Sequence, residues 1–101
     1  MSRTFIAIGA PRASATPEAT APLMIPEIEA VWRDYTRGLI REIYERADQR
    51  GVVMVCEADD RTEVQTMLEN LPLAKAGFLD TQIIEIKPFE LWQTLFQSPL
   101  T

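Results

Sequence analysis
The acids Glu42, Glu57, Asp80 and Glu85 fall on or beside runs of β-forming residues, and Tyr44 stands among them as a hydroxyl donor. Burial raises a carboxylate's pKa and readies it to move protons, and a nearby hydroxyl can stabilise the charge that develops. Glu57 is the strongest candidate for the catalytic base because it follows the most apolar run, Val52 to Cys56, with Tyr44 as its catalytic partner. Glu42, Asp80 and Glu85 are candidates for substrate contact, together with the aromatic pair Trp32 and Tyr35. Each has a plainer reading. Arg41 and Arg46 are close enough in sequence to pair with the acids at a strand edge or subunit contact, and an aromatic stripe at helical spacing is commonly core.

The absence of histidine narrows the chemistry further. Imidazole acid–base catalysis and His-ligated zinc are excluded, so proton transfer falls to carboxylates or tyrosine, and no metal or cofactor is expected. Cys56 is the only cysteine. It can form no intrachain disulfide, and its apolar neighbours make it a small core residue rather than an activated nucleophile.

The elements that must position these side chains follow from periodicity. Thr4 to Ile8 is a short β-branched and aromatic run ending before Gly9 and Pro11, which predicts a first strand. From Ala10 to Pro26, prolines at 11, 17, 22 and 26 alternate with small residues, predicting an irregular insertion. It is either a surface loop or a mobile cover that places Leu23, Met24 and Ile25 over a pocket. Ile28, Val31, Trp32 and Tyr35 then recur at i, i+3, i+4, i+7, giving a first helix that stops at Gly38. Leu39 to Arg46 alternates as a half-exposed strand, a turn covers Ala47 to Gly51, and Val52 to Ala58 is a strand apolar on both faces.

Asp60 can cap a second helix with Glu63 reaching back, and Val64, Met67, Leu68 and Leu71 form its apolar face before Pro72 closes it. Leu79 to Ile86 is the last strand, rich in isoleucine. Phe89, Trp92 and Phe96 mark a short apolar C-terminal helix that Pro99 would end.

Strand, helix, strand, strand, helix, strand predicts an α+β, ferredoxin-like βαββαβ fold: a four-stranded antiparallel sheet with both helices on one face, and an extra short C-terminal helix. The 101 residues suit a single domain spanning 1–101. The second sheet face is left bare and apolar, which predicts a homodimer joined face to face, or a higher homo-oligomer through the aromatic tail.

A net charge of −5, with arginines interleaved among acids, argues against a nucleic-acid partner. No run is long enough to span a membrane. The apolar segment from Phe5 to Ala10 is too short for a signal peptide and is cut by Pro11 and Arg12, so the cytoplasm is the expected location.

The segments LIREIYERADQRGVVMVCEADD and VQTMLENLPLAKAGFLDTQIIEIKPF resemble the muconolactone isomerase-like family of the dimeric α+β barrel group. The likeness spans roughly the last two thirds of the chain, in the hairpin, the Leu71-Pro72 helix end and the Ile-Glu-Ile-Lys-Pro close. It implies a pocket between sheet and helices, obligate oligomers, and, in true muconolactone isomerases, proton shuttling beside a lactone carbonyl. The Pro-rich insertion and the lack of histidine depart from that pattern. Two functions follow as expectations: a cofactor-free isomerase-like enzyme acting on a cyclic or carbonyl metabolite, or a non-catalytic oligomeric module that binds a small ligand or assembles.

Overall fold
The computed structural model describes residues 2–97. Strand β1 (Arg3–Pro11) leads into a one-turn helix α1 (Pro17–Thr20), a 3-10 turn (Ala21–Leu23) and the long helix α2 (Met24–Thr36). Strands β2 (Ile40–Glu45) and β3 (Val52–Ala58) follow, then α3 (Arg61–Glu69), a one-turn α4 (Pro72–Lys75), β4 (Leu79–Ile86), a second 3-10 turn (Glu90–Trp92) and α5 (Gln93–Phe96).

All strand pairs are antiparallel, in the order β2-β3-β1-β4. This is the ferredoxin-like arrangement. The sheet stays open, with β2 and β4 as its edges.

Register sorts the side chains. Phe5 lies opposite Cys56 and Glu85, and Ala7 opposite Met54 and Ile83, so these residues share the face that packs under α2 and α3. Phe5, Cys56, Val64, Leu68 and Leu71 are almost wholly inaccessible. Burying a ring such as that of Phe5 contributes about 2 to 3 kcal/mol. On the other face Ile6, Ile8, Val53 and Val55 pair across β1 and β3, with Ile84 and Ile86 beside them on β4. No helix of the described residues covers it, and Ile84 and Ile86 are each 41% exposed.

The region from Ala10 to Pro26 is not the irregular insertion expected. Ala10 and Pro11 complete β1, and from Pro17 onward the chain is helical. Thr16 caps α1 by accepting from the Ala19 N–H at 3.2 Å, and Pro17, Pro22 and Pro26 each sit in the opening turn of a helical segment. There the missing N–H has no partner to lose, so proline is compatible with helix at all three positions.

Helix α2 is also turned relative to its expected face. Glu27 and Ala30 are buried and Val31 is half-buried, whereas Ile28, Trp32 and Tyr35 stay exposed. The small Ala30 side chain permits close approach to the sheet, and the larger stripe is left at the side. The core reading of Trp32 and Tyr35 is therefore corrected.

Helix α3 ends at Glu69, and Pro72 starts the next turn rather than stopping the previous one. Gly51 is the tight point of the β2–β3 turn: its φ is +147°, and a Cβ would lie 2.9 Å from the Gly9 carbonyl oxygen. No larger residue fits there without displacing β1. The expected stop at Pro99 lies outside the described residues.

Candidate functional site
A cavity of about 400 Å³ lies between α2, the α3–α4 corner and the sheet. Its walls are mainly apolar, from Met24, Ile28 and Val31 on α2, Met54 on β3, and Leu68, Leu71, Leu73 and Leu79. That volume and lining suit a small organic ligand. Two carboxyl groups break the apolar wall, the exposed Glu45 at the end of β2 and the buried Glu27, only 9% exposed.

The fold holds this carboxyl by one oxygen. α4 begins after Leu71, which supplies no side-chain cap, and the orphan N–H of Leu73 donates to Glu27 Oε1 at 2.9 Å. Glu27 thus caps a helix turn far along the chain, tying α2 to α4. The other oxygen receives no hydrogen bond from the described residues, and none of their buried side-chain oxygens lacks a partner, so Oε2 is open to solvent or ligand. Desolvation raises the Glu27 pKa above its ordinary 4.5, and the Leu73 N–H partly offsets the rise. Such a group can take a proton as carboxylate and return it as acid.

The residues singled out in the sequence separate into two sets. Trp32, Tyr35, Glu42 and Tyr44 come together along a groove of about 480 Å³ between α2 and the edge strand β2. Trp32 and Tyr35 stack with ring centroids 5.7 Å apart, and the Tyr44 hydroxyl donates to Glu42. That hydrogen bond is the main cause of a raised Tyr44 pKa. Tyr44 also borders the Glu27 cavity.

Glu57, Asp80 and Glu85 lie elsewhere. Glu57 faces the bare side of β3, accepts from Ser2 Oγ at 3.2 Å and pairs with Arg41 at 3.5 Å. Asp80 pairs with Arg12 at 2.8 Å, and Glu85 with Arg3 at 3.8 Å. None of the three lines the cavity or the groove.

Sequence reasoning passed over Glu27. Its hydrogen-bond partner is 46 positions away, beyond any local motif. Cys56 is buried on the helix side of β3, and burial first, then the charge of Asp34, pushes its thiol up to about 11. It is no thiolate at neutral pH. Among the described residues no cluster of His, Cys, Asp and Glu could hold a metal ion, and no helix is long and apolar enough to cross a membrane.

Residues 37–90, more than half of the chain, match the YCII-related domain. The chain belongs to the YCII-related family. The match runs from the end of α2 through β4, so it includes Leu73 but stops short of Glu27. Among solved structures, this YCII-related chain is similar to 5-chloro-2-hydroxyhydroquinone dehydrochlorinase (TftG) from Burkholderia phenoliruptrix AC1100, in complex with 2,5-dihydroxybenzoquinone. The TM-score is 0.68 at 18% identity, over 83% of this chain and 93% of that one. At that identity the likeness shows a shared fold. No curated protein matches the sequence.

Proposed function
We propose that this YCII-related protein is a cofactor-free enzyme that moves a proton on a small cyclic or carbonyl compound, with Glu27 as the acid–base group. The observation that carries this reading is a carboxyl with one oxygen anchored and the other open, set in an apolar cavity. Its raised pKa brings the proton affinity closer to that of neutral water chemistry. As carboxylate, Glu27 takes a proton from carbon beside a carbonyl, leaving an enolate. Returning that proton to another carbon gives isomerisation; expelling a leaving group from the enolate gives elimination. The dehydrochlorinase with the same fold, which binds a quinone, supports a ring of that kind as substrate. Glu27 takes the role that sequence alone suggested for Glu57, since the Glu57 carboxylate is paired with Arg41 outside the cavity. Tyr44 remains the hydroxyl at the cavity's border.

The competing reading is a binding module in which Glu27 only ties α2 to α4, and the Leu73 hydrogen bond favours it. Deuterium exchange separates the two. A panel of cyclic ketones and enol lactones is incubated with the protein in deuterated water, and α-carbon exchange is followed by proton NMR. Wild type is expected to accelerate exchange of at least one compound, and Glu27→Gln, which keeps the acceptor for Leu73, to slow it about 100-fold or more. Exchange unchanged by that substitution would remove Glu27 from the chemistry. Binding without exchange would leave the module.

A further inference from the structure
We propose that the Glu27 cavity selects neutral ligands and rejects carboxylates, and that Glu45 at its rim shares in that selection with Glu27. This deepens the function proposed above and rests on the cavity being its ligand site. Two acids, Glu27 and Glu45, line the cavity, and no arginine or lysine does. Six acids elsewhere, Asp34, Asp48, Glu57, Asp80, Glu85 and Glu90, each pair with a base. Neither cavity acid belongs to an ion pair of the described residues.

A ligand carboxylate entering here would lose its water, gain no cation and face charge of its own sign. A neutral ring with a hydroxyl or carbonyl meets none of these costs, and the apolar walls favour it. Glu45 is exposed at the end of β2, opposite Val52, and lines the cavity. Arg50 borders an adjoining crevice of about 160 Å³ that shares Met24, Leu73 and Leu79 with the cavity. Its guanidinium donates to the Ala15 carbonyl at 3.4 Å and is absent from the cavity lining.

The test uses two probes of nearly equal size, 4-hydroxybenzamide and 4-hydroxybenzoate, titrated calorimetrically into the full chain near neutral pH and at low salt. The amide is expected to bind at least about tenfold more tightly, the scale of an unpaired ligand charge. Glu45→Lys should narrow that ratio several-fold by strengthening the benzoate. Arg50→Ala should alter neither affinity. Equal affinities would overturn the proposal, as would a benzoate preference lost in Arg50→Ala. The two readings fail separately: selectivity with deuterium exchange indifferent to Glu27→Gln keeps the selection and removes the catalysis. Binding of neither probe overturns the selection, while the catalysis stands or falls with the Glu27-dependent exchange.

Discussion
Glu27 differs from the ion-paired acids in how its charge is balanced. Asp80 and Glu57 meet arginine at the surface, whereas Glu27 meets one backbone N–H and a wall of leucine and methionine. Its protonated form is favoured in the fold, so the folded pKa lies above the unfolded value of 4.5. The native state then binds the proton more tightly, and stability falls as pH rises. The contribution is complete below pH 4.5 and is lost as pH climbs through the raised folded value. The stability of wild type relative to Glu27→Gln, from denaturant midpoints, is therefore expected to decline as pH rises from that acid limit. A difference that stays flat or grows with pH would contradict the burial argument. Local spacing could not reveal this residue, because the group that fixes it is Leu73 on a different helix.

Helical elements were legible where caps and periodicity are local. Asp60 accepts from the Glu63 N–H at 3.0 Å, and the Glu63 carboxylate reaches back to the Asp59 N–H at 3.4 Å, one residue short of the reciprocal bond expected. Replacing Asp60 by Ala should cost about 1 kcal/mol, lowering the melting temperature by about 4 to 8 °C, with Asn nearly neutral. Equal melting of wild type and Asp60→Ala would deny the cap its role. Strands β3 and β4 were legible from β-branched runs bounded by glycine and polar turns. The proline-rich stretch was not, because spacing alone does not say whether a proline interrupts a helix or opens one. The face of α2 was misjudged for a related reason: hydrophobicity favoured Trp32 and Tyr35, while packing distance favoured Ala30. The site residues divide along the same line: Trp32 and Tyr35 neighbour each other on one helix, whereas Glu27 is fixed by a tertiary contact.

At the scale of the molecule, the open sheet leaves one face of β1, β3 and β4 carrying Ile6, Ile8, Val53, Val55, Ile84 and Ile86 toward water. Soluble monomers rarely expose so continuous an apolar surface. We propose that two copies join through this face. Native mass spectrometry of wild type should give a dimer or a multiple of it, and Val55→Asp with Ile84→Lys should give a monomer of unchanged circular dichroism. A wild-type monomer would dismiss the arrangement.

Beyond the sheet the chain reaches outward. The molecule extends 66 Å along its long axis against 29 and 19 Å across, and its radius of gyration, 17.2 Å, exceeds the ~13 Å of a compact domain this size. The 3-10 turn and α5 contact chiefly each other, with Phe89 and Trp92 edge to face and Leu91, Leu95 and Phe96 exposed. Lys87 is the last basic residue, and its peptide bond leads into Pro88, a junction trypsin does not cleave. The projecting segment therefore carries no tryptic site of its own, while its aromatic side chains offer chymotrypsin several. Trypsin should therefore leave this segment uncut where chymotrypsin removes it.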